Sequence, residues 1–556
     1  MNDTGGAGRH PGQQLGLCPE RNDQAALDKE RVTGNAVGED YSPSGDQLKV
    51  GHRASVANLR DSMAPFAAAL IAAVLMWAAF PPLDLGVVAF VAPAPLLWGL
   101  RHVETGTGAL AVGFLFGLVF FGPLLSFLFI LGAVAWIPLT VWLAATVAVY
   151  GLLVWAFRAW PPGRWFLITV GGWAMFEWLR ATFPFGGFPW GSVGTAAGGV
   201  PGVIGSVQWI GPSGWTVLAV ALSAGLVLVL EDQSSWRLLV DSLVVIVMLT
   251  TAGVLFAPSA DGDPLRVAIV QGGSPCPRTH CQNEKMLIYQ SHLELTRTIP
   301  DGSVDLVVWP ENSIGSPFEP DGNPDVDAAL SAEAVRLGAY LIVSGTRSAG
   351  PENFYNVNTV YAQNGSKVGE YQKRHPVPFG EYVPLRGVLD FIPQLEAVPR
   401  DMVRGNGPVV FETPRGAIGT LISFEGAFSR LVRSEAQTGS QLLVIATNES
   451  SYGAGPASDQ LIGIARVNAA AVGQDLVHAA ITGKSAFVTA AGEVGETSEL
   501  FREQVLEGRV RFRSAGPTIF TRFGDWLALV AIAGGLAAAL VPGEGKPERR
   551  RGPQLS

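Results

Sequence analysis

Between residues 64 and 257 the chain alternates long apolar runs with short polar breaks, and no other feature of the sequence constrains its fold as strongly. Each run is close to the ~20 residues that an α-helix needs to cross a bilayer. Membrane spans are expected near 64–80, 86–100, 108–131, 134–157, 165–181, 202–230 and 238–257, with an eighth near 525–542. Buried helices of a soluble protein do not account for the pattern, because so many helices that are apolar all round would leave no polar face for water. A mean hydropathy of +0.29 with 15% charged residues points the same way. The net charge of -9 gives no basic surface of the kind that binds nucleic acid.

The basic residues set an orientation. Arg101, Arg158, Arg164 and Arg237 fall in alternate breaks, and Lys546, Arg549, Arg550 and Arg551 follow the last run. The opposite short breaks, 81–85 and the one near Gly132, carry no Lys or Arg. The positive-inside rule then places both termini in the cytoplasm. The expected organisation is a disordered cytoplasmic tail over 1–62, rich in Gly, Asp, Gln and Arg without an apolar period, and a seven-helix membrane domain over 63–258. An extracytoplasmic insert over 264–523, the eighth helix at 525–542 and a cytoplasmic tail at 543–556 complete it.

The insert reads as α/β. Strand-like runs at 266–272, 304–310, 339–346, 357–362, 408–413, 417–424, 441–448, 476–482 and 485–490 alternate with helical patterns near 283–298, 325–337, 427–438 and 458–473. Such alternation needs helices packed on sheet faces. The three cysteines, Cys18, Cys276 and Cys281, are too few for a disulfide framework. An oxidising exterior would nonetheless allow a local bond between Cys276 and Cys281, in the loop after the first strand. The histidines are scattered without metal-ligand spacing, so neither metal nor cofactor is expected.

The segment 371–384, YQKRHPVPFGEYVP, packs a lysine, a histidine, a glutamate and three prolines into a string with no helical or strand period. Prolines remove backbone donors and push the preceding residues out of the α region, so the segment is expected to be an ordered loop presenting Lys373 and Glu381. Glu311 follows the strand-like run VDLVVW, and Ser423 ends the run AIGTLIS. A carboxylate, an amine and a hydroxyl at successive strand ends can supply a base, an oxyanion stabiliser and a nucleophile. Taken singly, each has a plainer reading: Glu311 as a loop cap, Lys373 as a solvated charge, Ser423 as the cap of the next helix.

Taken together and in order, these residues resemble the Glu-Lys-Cys triad of the nitrilase superfamily, and the membrane frame narrows the resemblance to its apolipoprotein N-acyltransferase branch. WPEN (309–312) resembles the glutamate segment, YQKRHPVPFGEYVP the lysine segment and GTLISFEGAF (419–428) the nucleophile segment. EWLRATFPFGGFPWGSVG (177–194) resembles the E-W-L-R and G-F-P-W membrane segment. The resemblance implies an α-helical membrane domain carrying a nitrilase-like αββα sandwich. It also implies transfer of an acyl chain from a glycerophospholipid, through an acyl-enzyme, to the N-terminal amine of a diacylglyceryl-cysteine lipoprotein. Glu311 would be the base, Lys373 the oxyanion stabiliser, Ser423 the nucleophile, and Glu381 and Glu425 supporting acids. The sequence departs from the family at the centre: Ser423 stands where the family has cysteine, and Phe424 where it has tyrosine. A non-catalytic membrane homologue that binds lipid or lipoprotein is the alternative that Ser423 raises. The apolar run VLDFIPQL (388–395) is expected to be part of a mobile, membrane-facing loop.

Overall fold

The computed structural model describes residues 45–276, 281–389 and 391–541. The chain divides into two units, 1–58 and 59–556. Of the first, only residues 45–58 are described, as the start of the helix Gly45–Ala78. Most of the expected tail therefore lies outside the described residues. Its last part is helical rather than irregular, in keeping with the good helix formers Lys49, Arg53, Ala54, Ala57, Leu59 and Arg60.

Four helices among the described residues are long and apolar enough to cross a membrane: Gly106–Leu124, Ala133–Ala156, Ile204–Glu231 and Gln233–Leu255. Ser62–Ala78 and Trp526–Leu540 are shorter apolar helices. The run expected as one span at 86–100 is instead a 3-10 turn, Gly86–Phe90, followed by the helix Pro93–His102. At 1.5 Å per residue that helix is only about 15 Å long. Pro93 and Pro95 account for the break, because proline fits the first turn of a helix and not its interior. The helix Pro162–Arg180 occupies the fifth window, but it carries Arg164, Glu177 and Arg180.

Small residues let these helices approach closely. A Cβ on Gly117 would lie 2.4 Å from Cα of Ala144, which seats Gly106–Leu124 against Ala133–Ala156. The last helix is held in the same way, since a Cβ on Gly171 would lie 2.3 Å from the carbonyl oxygen of Ala531.

Among the described residues the α/β part has thirteen strands. They are β1 Pro264–Gln271, β2 Leu306–Val308, β3 Tyr340–Ser348, β4 Asn353–Tyr361, β5 Lys367–Gln372, β6 Asp401–Met402, β7 Val410–Thr413, β8 Gly416–Ile422, β9 Leu442–Thr447, β10 Leu476–Ala480, β11 Ala486–Val488, β12 Val494–Thr497 and β13 Gln504–Arg511. One sheet has the order β13-β1-β2-β3-β4-β5, with β6 on β4, and the other has β12-β11-β10-β9-β8-β7. Strands β1–β3 run parallel in the first sheet, as do β8–β10 in the second. Alternation along the strands divides two cores. Val267, Ile269, Leu306, Val308 and Ile342 share a core with Ile418, Leu443 and Phe487 of the other sheet. Ala268, Val270, Val307, Leu341 and Val343 pack under Leu293 and Leu330 of the helices Glu284–Thr298 and Pro324–Leu337. This is an αββα sandwich, with the helices Ser429–Thr438 and Ala457–Val472 associated with the second sheet. Strands β5, β12 and β13 are not among the strand-like runs of the sequence. Their exposed charged positions, as at Lys367, Glu496 and Glu507, dilute the apolar signal.

Candidate active site

The candidate residues stand where strands end. Glu311 lies three residues beyond β2 and Lys373 directly follows β5. Both are almost fully buried, at 4% and 1% exposure, so their charges must be met by partners inside the fold. The Lys373 ammonium donates to Glu311 Oε1 at 3.2 Å and to Glu381 Oε1 at 2.7 Å. Asn356 of β4 donates through Nδ2 to the same two carboxylates, at 2.8 and 3.2 Å. The second oxygen of Glu311 accepts from the backbone amide of Asn448 at 2.9 Å, and that of Glu381 from the amide of Val377 at 2.8 Å. Burial alone would lower the basicity of Lys373, but the carboxylates of Glu311 and Glu381 more than reverse it, so the amine is held as a cation.

Ser423 begins the 3-10 turn Ser423–Ala427 immediately after β8. Its φ is +54°, a left-handed conformation that is costly for a residue other than glycine. Among the described residues its hydroxyl has no hydrogen-bond partner. Ile422, just before it, pairs with Ala446 of β9, two residues ahead of the Asn448 whose amide holds Glu311. The register of the second sheet thus delivers Ser423 to the same strand ends as the Glu311 carboxylate.

Glu425 joins this turn to the lysine loop. Its Oε2 accepts from the amide of Ile422 at 2.9 Å and from the hydroxyl of Tyr371 at 2.7 Å. Its Oε1 accepts from the amides of Arg374 and His375 at 2.7 and 2.9 Å. Complete burial raises the Glu425 carboxyl above its ordinary value, against the pull of the Ile422 amide and the Lys373 charge. One carboxylate therefore fixes Lys373 and Ser423 relative to each other.

The membrane segment closes the site from another side. Glu177 accepts from Trp173 Nε1, the amide of Val193 and the hydroxyls of Ser192 and Thr216. Arg180 donates to the carbonyls of Phe188 and Trp190. The conspicuous Glu and Arg of E-W-L-R are thus what shape the G-F-P-W turn. That turn meets the sandwich beside Ser423: Phe188 lies against Phe424 at 5.6 Å between ring centroids, and Arg430 donates to the carbonyls of Ala181 and Gly186 at 2.7 Å each. Asn448 lies in the run TNESSYG (447–453), which loosely resembles a family segment, whereas Asn356 lies in no motif. Asn356 shares β4 with Asn358 and Thr359, which are also polar and buried, so its side chain gives no distinguishing signal in the sequence. Among the described residues no group of three or more His, Cys, Asp and Glu is placed to hold a metal ion.

Comparison with known proteins shows which family the chain belongs to. Residues 72–225 match the N-terminal domain of apolipoprotein N-acyltransferase, and residues 266–520 match the carbon-nitrogen hydrolase domain. The apolipoprotein N-acyltransferase of Rhizobium meliloti is 32% identical over 467 residues, covering 76% of this chain and 85% of the relative. That of Sinorhizobium medicae is 30% identical over 510 residues, covering 83% and 93%. An amidase from Nesterenkonia sp. is 19% identical, with a TM-score of 0.33, over 46% of this chain and 93% of that one. With relatives of this similarity running through both the membrane helices and the sandwich, the chain belongs to the apolipoprotein N-acyltransferase family.

Proposed function

We propose that this membrane enzyme N-acylates lipoproteins at Ser423, taking the acyl chain from a glycerophospholipid and giving it to the N-terminal amine of a diacylglyceryl-cysteine. The observation that carries this reading is the shared anchoring of three groups. Glu311 and Lys373 are paired and buried, and Glu425 ties Lys373 to the turn that holds Ser423 in its left-handed conformation.

In the first half-reaction the Ser423 hydroxyl attacks the ester carbonyl of the phospholipid while Glu311 takes its proton. Lys373, held cationic, faces the oxyanion that forms. Collapse expels the lysophospholipid alkoxide, which recovers the proton from Glu311 and leaves an acyl ester on Ser423. In the second half the lipoprotein amine attacks that ester, Glu311 removes the amine's proton, and the proton passes to the departing Ser423 oxygen. Glu381 and Asn356 keep the Lys373 ammonium and the Glu311 carboxylate in place throughout. Ser423 raises the non-catalytic alternative, but the bonded, buried or half-buried positions of Glu311, Lys373 and Glu381 support the catalytic reading.

For topology, we infer that 264–523 is extracytoplasmic, with the tails 1–62 and 543–556 cytoplasmic. The basic breaks support this, and so does the Cys276–Cys281 disulfide, a bond characteristic of oxidising compartments. Intact-protein mass spectrometry after incubation with phospholipid tests the function: the expected result is one acyl adduct, mapping to Ser423. An unmodified protein, or an adduct elsewhere, overturns the reading.

A further inference from the structure

Away from Ser423, a cavity of about 290 Å³ lies between the loop after the first helix, the turn that follows Trp190, and the helix Ala457–Val472. It is lined by Val87, Val200 and Ile464 together with two opposite charges, Asp84 and Arg466. The two charges act on each other electrostatically, yet among the described residues neither forms an ion pair with any group. Among the described residues Arg466 donates only through Nε, to the carbonyl of Gly492 at 3.1 Å, and its side chain lines the cavity. Asp84 is exposed at φ +52°, and its neighbours Leu83, Leu85 and Val87 are exposed apolar side chains.

The cavity is walled off from the nucleophile. Gln460 accepts from Trp190 Nε1 at 2.7 Å and donates to the carbonyls of Pro81 and Leu124 at 3.3 Å each. Behind that wall Phe188 stacks on Trp190 at 6.0 Å and meets Phe424 on its other side. Trp190 and Gln460, which line the cavity, and Phe188 behind them stand between it and Phe424, the neighbour of Ser423.

We propose that this cavity binds the headgroup of a zwitterionic aminophospholipid as a resident lipid, separate from the lipid consumed at Ser423, with phosphate at Arg466 and ammonium at Asp84. Two unlike charges lining one cavity suit a ligand that carries both, each of its groups being attracted to the wall charge of opposite sign. The volume is near the lower limit of small-molecule sites, about 300 Å³, which admits a headgroup and leaves the acyl chains outside. The exposed Leu83, Leu85 and Val87 mark an apolar surface where those chains would meet the bilayer. The proposal does not depend on the chemistry at Ser423.

The test uses full-length protein carrying Ser423→Ala, so that no lipid is turned over, purified in detergent and titrated with dioleoyl phosphatidylethanolamine. Native mass spectrometry counts the lipids retained. Gly463→Leu projects into the cavity from a helical position where a Cβ meets nothing within 4 Å. It should weaken one phosphatidylethanolamine binding event at least tenfold, as should Arg466→Gln. Asp84→Asn should abolish the preference of that event for phosphatidylethanolamine over phosphatidylglycerol. Four results would each overturn the proposal: no retained phosphatidylethanolamine, retention unchanged by Gly463→Leu, equal binding of the two lipids before Asp84 is changed, or displacement by equimolar inorganic phosphate.

Discussion

A Cβ placed on Gly186 would stand 2.2 Å from Cε1 of His375, so the membrane turn and the lysine loop touch at a point where only glycine fits. Gly186 also has φ +94°, which disfavours any side chain there. His375 is two residues from Lys373, and its amide is one of the donors to Glu425. Gly186→Ala should therefore push the lysine loop away from its clamp. A misplacement of about 1 Å can reduce turnover ~100-fold, and a loss of at least tenfold in acyl transfer by correctly inserted protein is expected. Unchanged transfer would show that the contact does not position Lys373.

Replacement of Ser423 separates the chemistry from the scaffold. A thiol is intrinsically more nucleophilic than a hydroxyl, and its thioester is the better acyl donor to an amine. Transfer to a diacylglyceryl peptide should rank cysteine above serine above alanine, with Ser423→Ala at background. Equal background transfer by all three would remove Ser423 from the mechanism. Serine above cysteine would show a site adapted to the hydroxyl.

His375 predicts an acid limit to stability. Burial, then the positive charges of Arg430, Arg404 and Lys373, lower its pKa from 6.5 to about 4. Between those values the unfolded chain binds a proton that the folded chain does not, so stability rises with pH across the window and is lost as pH falls from 6.5 toward 4. Glu435 acts in the opposite sense, because burial raises its carboxyl to about 8. The difference between the parent protein and His375→Gln isolates the histidine. Thermal unfolding of the variant should be less sensitive to pH between 4 and 6.5, and parallel curves would refute the assignment.

Protease added to intact spheroplasts should cut within 264–523, with fragments detectable from both membrane-anchored sides. Protection of that region while the outer face is accessible would reverse the proposed orientation.

The segment after the lysine loop exposes Leu385, Val388 and Phe391, the last at 77%. Apolar side chains so exposed are costly in water and inexpensive at a bilayer surface. An environment-sensitive dye at position 391 should report a more apolar setting in liposomes than the same dye at the exposed position 507 of β13. No difference would show that the segment does not contact lipid.

What the sequence determined by itself was local. Apolar runs of spanning length, strand-like runs separated by helical ones, and the order of Glu311, Lys373 and Ser423 at strand ends are all written along the chain, where periodicity and turn chemistry act over a few residues. Even there, Pro93 and Pro95 divided a run that hydropathy alone reads as one span. What only the tertiary structure decided was which distant groups meet. Glu425 bonds amides some 50 residues away in the lysine loop, Glu177 shapes a turn that Thr216 also braces, and Gly186 is small because His375 lies against it. Contacts of this kind leave no period in the sequence, because each is made by single side chains brought together by sheet register and helix packing. The opposed charges of Asp84 and Arg466 belong with them: 382 positions apart in the chain, they become a site only once the helix Ala457–Val472 is seated on the membrane loop.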